Sequence, residues 1–136
     1  MKKKPKQKTK GYYVKKLDIV FSQYIRKSYA NDFGMAECYT CNKVLQYKDL
    51  QNGHFISRGH MNTRWDEMNN HAQCIGCNVF NHGKMDEYAL FMVKKYGEGI
   101  LEEMKKRKDT LRQWTIKEME EQIKIYKEKV NSIING

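Results

Sequence analysis

Four cysteines stand in two pairs, Cys38-Tyr-Thr-Cys41 and Cys74-Ile-Gly-Cys77. Zinc takes four thiolate or imidazole ligands in a tetrahedron, and two CxxC turns supply that set. A single redox dithiol would not need a second copy, so structural zinc on Cys38, Cys41, Cys74 and Cys77 is the expected chemistry. The pairs are 32 residues apart, more than a compact zinc ribbon uses, and the inserted stretch is where further chemistry is expected. It holds His54 just after Gly53, with Arg58 close behind. A neutral imidazole takes a proton from water attacking a phosphodiester, and a guanidinium grips phosphate through two parallel donors. Just past the second pair, Asn78 and His82 are four positions apart. On a helix starting near Cys77 they would share a face and could hold a divalent ion, Mg²⁺ or Mn²⁺, that stabilises a leaving oxygen. The plainer roles are a helix cap for Asn78, a surface position for His82, a solvated arginine at 58 and a structural histidine at 54.

The charge distribution points to the same kind of partner. The 136 residues carry a net charge of +10, and eight of those charges are Lys2, Lys3, Lys4, Lys6, Lys8, Lys10, Lys15 and Lys16, in a stretch without acids. A flexible lysine arm over residues 1–16 binds a polyanion by releasing its counterions. Nucleic acid fits better than membrane, because no acylation signal or amphipathic apolar face accompanies the lysines. The apolar residues after the arm are broken by Lys15, Lys16 and Asp18, so neither a signal peptide nor a membrane-spanning helix is expected. Paired CxxC motifs suit metal binding in a reducing cytoplasm.

The elements that must position these residues follow from periodicity. Leu17, Val20, Phe21, Tyr24 and Ile25 mark an amphipathic helix to about Ala30. Val44–Tyr47 and His54–Ile56 read as short strands that pair in a hairpin, and residues 57–70 read as a polar loop. Gly83 breaks the helix expected at the second cysteine pair, residues 85–96 continue in helical pattern, and a short helix runs from about Ile100 to Lys108. The last helix has a capping box, Thr115-Ile-Lys-Glu118, and a heptad seam of Ile116, Met119, Ile123, Tyr126, Val130 and Ile133. That seam either packs on the chain's first helix or makes a homodimer. The fold class is α+β, with a zinc-bound domain over residues 17–110 and a C-terminal helix over 111–136.

Together these residues resemble the HNH, or ββα-metal, endonucleases, and more closely the NinG/Rap family of phage recombination proteins. The matching stretches are Gly53-His-Phe-Ile-Ser-Arg58, Thr63-Arg-Trp65, His71-Ala-Gln-Cys74 and Gly76-Cys-Asn-Val-Phe80. Leu17-Asp18 through Lys27 and Glu87-Tyr88 through Gly97 are also similar. The resemblance implies a small zinc-stabilised ββα core flanked by N- and C-terminal helices. It also implies a phage-encoded, metal-dependent endonuclease acting with recombination on D-loops or Holliday junctions, with a recombinase as partner. In it His54 is similar to the general base, Asn69 to the central asparagine that orients the base, and Asn78 and His82 to the metal ligands of the helix. Many members have Asp or His immediately before the base. Here that position is Gly53, and His60, Asp66 and His71 are the candidates to replace it. The rival from another class is a non-catalytic zinc-containing DNA-binding protein that assists recombination.

Overall fold

The computed structural model describes residues 8–110 and 112–133. Lys2, Lys3, Lys4 and Lys6 of the expected lysine arm lie outside them. Helix α1, Lys10–Ser28, starts well before the periodic apolar run, because the Thr9 side chain accepts from Tyr12 N and caps it. The part of the arm from Lys10 to Lys16 is therefore helical, and Tyr13 and Val14 already pack inward. This corrects the expectation of a flexible arm to residue 16.

The strands pair differently from the expected hairpin. Strand β1, Met35–Glu37, pairs antiparallel with β2, Val44–Gln46, around the first cysteine turn. Strand β3, Gln51–His54, pairs antiparallel with β4, Asn70–Gln73, with Gly53 opposite His71 and His54 opposite Asn70. β2 thus pairs back across the first cysteine turn, and β3 pairs forward with a strand that lies beyond the stretch expected as loop. The connection from β3 to β4, expected as loop, contains a one-turn helix α2, Met61–Arg64, and a 3₁₀ turn, Glu67–Asn69. After β4 comes a π-helical turn, Gly76–Phe80, then α3, Met85–Tyr96, α4, Ile100–Asp109, and α5, Ile116–Ser132. The capping box of α5 is formed, with Glu118 N bonding Thr115 Oγ1 and Thr115 N bonding Glu118 Oε1.

Three apolar clusters hold these pieces together. Leu17, Val20, Phe21 and Ile25 of α1 pack on Met119, Ile123 and Tyr126 of α5, with Trp65 from the β3–β4 connection. The seam of α5 is thus used against α1, the first of the two packings its heptad allowed. A second cluster surrounds the cysteines with Ala36, Leu50 and Ala72, and a third joins α3 and α4 through Tyr88, Met92, Ile100 and Met104. The result is a mixed α+β fold in which β3, β4 and α3 follow one another around a four-cysteine cluster.

Candidate active site

The four cysteine sulfurs lie within 4.8 Å of one another, and Cys41 Sγ is 3.7 Å from Cys74 Sγ. Sulfurs at ~2.3 Å from a tetrahedral zinc stand roughly 3.8 Å apart, so the donor set fits zinc. Burial alone would raise the Cys38 thiol, yet the Thr40 hydroxyl and the backbone amides of Cys74, Cys41 and Thr40 bring it down to about 6. Cys38 is therefore poised to ionise near neutral pH, and metal binding would draw off the protons of its neighbours. Among the described residues this is the one group of three or more His, Cys, Asp or Glu able to share an ion.

One cleft of about 790 Å³ gathers His54, Arg58, Asn78 and His82, four of the residues picked from spacing. His54 ends β3 and is half-buried, and its Nε2 lies 3.0 Å from the carbonyl oxygen of Arg64. A carbonyl only accepts, so Nε2 carries the proton and Nδ1 keeps its lone pair. Burial pushes the His54 pKa down to about 4, against an opposing pull from the Arg64 carbonyl and Asp18. The ring is neutral at pH 7.

Asn69 is fully buried and makes no hydrogen bond to the imidazole. Its Oδ1 accepts from Ile56 N at 2.8 Å, and its Nδ2 donates to Ile56 O and Thr63 O at 3.0 and 3.1 Å. It extends the strand beyond His54 and ties it to α2, so it fixes the base through backbone rather than through the ring.

Asn78 and His82 do not share a helical face, because α3 begins only at Met85. The π-helical turn carries Asn78, and His82, Gly83 and Lys84 then take left-handed conformations with φ of 52°, 86° and 47°. Left-handed backbone is costly for residues with a Cβ and concentrates at functional sites. It is this reversal that brings His82 into the cleft. Asn78 Nδ2 donates to Gln51 Oε1 at 2.8 Å, which leaves its Oδ1 without a partner among the described residues. An unpartnered amide oxygen and an exposed imidazole in one cleft are donors that suit a divalent ion.

None of the proposed substitutes for the residue missing at Gly53 lines this cleft. His71 points to the other side of its sheet, where Nδ1 and Nε2 meet the Tyr88 and Tyr96 hydroxyls at 2.9 and 2.7 Å. Asp66 caps the 3₁₀ turn and pairs with Arg107. His60 is the exposed residue before α2.

The cleft also holds residues that spacing did not single out. Asp18, Ser22 and Arg26 come from one side of α1, Lys48 from the turn before β3, and Gln51 and Asn52 from β3 itself. Asp18 grips the Arg64 guanidinium through both oxygens and accepts from Trp65 Nε1 at 2.9 Å. That pins to α1 the backbone carbonyl on which His54 rests. Arg26 donates to Ser22 and to Tyr47 O. Their one sequence signal was a set of polar residues at four-residue steps beside the apolar face of α1. Away from the cleft, Lys8 and Lys16 stack over Tyr12 and, with Lys124, Lys127, Glu120 and Glu128, line a groove of about 460 Å³ between α1 and α5, in which four cations face two acids. Lys10 and Lys15 are exposed on the same helix. Among the described residues, no helix is long and apolar enough to cross a membrane.

A family model described as "Bacteriophage Lambda NinG protein" matches residues 1–135. The chain is 23% identical over 130 residues to "Protein ninG" of Escherichia phage 933W and to that of Enterobacteria phage VT2-Sa, covering 95% of this chain and 62% of each relative. The Protein ninG of Escherichia phage lambda is also 23% identical over 130 residues, with 61% of its length covered. The chain thus spans about three fifths of the length of these relatives. No solved structure matches it significantly.

Proposed function

The chain belongs to the NinG family, and from that premise we propose that it is an HNH-type, metal-dependent endonuclease that cuts branched DNA during phage recombination in the host cytoplasm. The observation that carries this reading is the neutral His54, with a free Nδ1, in the same cleft as Arg58, Asn78 and His82. His54 Nδ1 takes a proton from a water molecule whose oxygen bonds to phosphorus, while the bond from phosphorus to the leaving oxygen breaks. A base held near 4 is fully unprotonated but weak, and a phosphodiester bound beside it strengthens it by favouring the imidazolium. Arg58 is exposed and its side chain makes no hydrogen bond among the described residues, so its donors are free for the phosphate. Asn78 and His82 would hold Mg²⁺ or Mn²⁺, which when bound stabilises the charge on the leaving oxygen. Zinc on the four cysteines keeps β4 and the π-helical turn in place, and Asn69 keeps His54 at its angle.

Lys8, Lys16, Lys124 and Lys127 support a second reading, a DNA-binding protein that assists a recombinase without cutting. Their groove lies apart from the cleft and would bind the backbone without sequence preference. The two readings part on one experiment. Purified protein is incubated with Holliday, flap and linear DNA in Mg²⁺ or Mn²⁺, beside the variant His54→Ala. The nuclease reading expects branched DNA to be cut, and the variant to bind equally but cut roughly 10²–10⁴-fold more slowly. No cutting of any DNA across several metals would sink it.

A further inference from the structure

The π-helical turn beside the cleft and the residues flanking it hold large apolar side chains in water. Phe80 is 73% exposed, Val79 and Ile75 are each 49% exposed, and Met85 is 41% exposed. Phe80 and Val79 belong to none of the three apolar clusters. Yet the backbone beneath them is stapled. Asn78 N bonds Cys74 O at 2.9 Å, Asn81 N and Nδ2 both bond Gly76 O, and Gly83 N bonds Cys77 O at 2.8 Å. The cysteine cluster anchors one end of this turn and the left-handed run 82–84 the other.

Val79 and Met85 themselves line the cleft, alongside Arg26, Lys48 and Arg58. Its one acid, Asp18, is already paired with Arg64. An apolar tip on a rigid mount, next to a cationic groove, matches a duplex: phosphates for the cations and the faces of the base pairs for the tip. Apolar side chains that enter between base steps unstack them and kink the helix, and a stiff mount is what such insertion requires. The step is cheapest where stacking is already interrupted.

We propose that Phe80, flanked by Val79, is a wedge that enters the interrupted base stack at a DNA branch point and so sets the preference for branched substrate. This deepens the endonuclease reading and rests on it for the role of the neighbouring cleft. The wedge acts before any bond is broken, so it is measurable without cutting.

The test uses the full chain carrying His54→Ala and a four-way DNA junction with 2-aminopurine at the branch. A fully paired duplex with the same base is the control. Binding is expected to raise the fluorescence of the junction and not that of the duplex. Phe80→Ala is expected to abolish the rise and weaken junction binding roughly tenfold, with duplex affinity, zinc content and melting temperature unchanged; Phe80→Trp restores it. On cleavage by the otherwise unaltered protein, Phe80→Ala slows cutting of the paired junction, and a junction with unpaired bases at the branch recovers the rate. A rise that persists in Phe80→Ala overturns the wedge. So does a change in molar mass by light scattering with DNA binding untouched, which would make the tip a contact between copies. If the rise depends on Phe80 but nothing is ever cut, the wedge stands and the endonuclease fails; if cutting is intact and indifferent to Phe80, the reverse holds.

Discussion

Gln73 occupies the space that a side chain at position 53 would need. A Cβ built on Gly53 runs into Gln73 Oε1 and comes within 3.1 and 3.2 Å of its Cβ and Cδ. Gln73 is fully buried on β4, and its Nε2 donates to Gly83 O at 2.8 Å and to Thr40 Oγ1 at 3.1 Å. One amide thus joins β3, the first cysteine turn and the left-handed run behind His82. At the position before the base, the space for a side chain is taken by a diagonal neighbour on the paired strand.

Gly53→Ala is accordingly expected to cost about 1–3 kcal/mol through overpacking, although alanine suits a strand better than glycine does. Gln73→Ala loses the amide's bonds, but the double variant should be more stable than the sum of the two single losses predicts. A double-mutant cycle by urea unfolding measures the coupling. Additive losses would show that the two positions do not meet.

Tyr88 is the second joint. Its hydroxyl donates to Gly53 O at 2.8 Å and, from the other side, meets His71 Nδ1. With Nδ1 protonated, His71 Nε2 accepts from the Tyr96 hydroxyl. Tyr88→Phe keeps the packing of a fully buried ring but strands a donor and an acceptor, so a loss of about 2–4 kcal/mol is expected. Thermal melts should show that loss while zinc content stays the same.

Acid should weaken the fold through two histidines. Burial pushes His54 down to about 4 and His71 to about 3, in the latter case with a contribution from Lys95. The unfolded chain takes up these protons near pH 6.5, where the folded chain does not. The stability from keeping both rings neutral is therefore complete above about pH 6.5 and is lost as the pH falls toward 4 and then 3. It is on the order of 3 kcal/mol for His54 and about 5 kcal/mol for His71. Unfolding free energies at pH 7.5, 5.5 and 4.5 should fall in that order, and His71→Gln should fall less steeply. Equal slopes in the two proteins would refute the buried-proton account for His71.

Metal removal gives the largest expected effect. One zinc per chain is predicted by elemental analysis. Chelation, or Cys38→Ser, should lower the melting temperature by about 10 °C or more, since metal binding energy is folding energy in a domain this small. A chain that binds no zinc and melts unchanged in chelator would remove the clamp from the account.

Local chemistry was legible from the chain alone. Two CxxC turns announce a tetrahedral thiolate site because their ligand spacing is set by the turns themselves, and the capping box of α5 is a contact between residues three apart. His54, Arg58, Asn78 and His82 were picked by type and spacing, and the fold brings them into one cleft. What periodicity could not determine was partnership at a distance. Nothing in Val44–Gln46 or Gln51–His54 says that they do not pair with each other but with the strand before and the strand after, and the helical spacing of Asn78 and His82 hid a π-helical turn and a left-handed reversal. Asp18 reaches Arg64, and through it the carbonyl beneath His54, across 46 residues, and Gln73 fills the space at Gly53. Such contacts depend on which surfaces meet after packing, and packing is a property of the whole chain; the tertiary structure alone decides it.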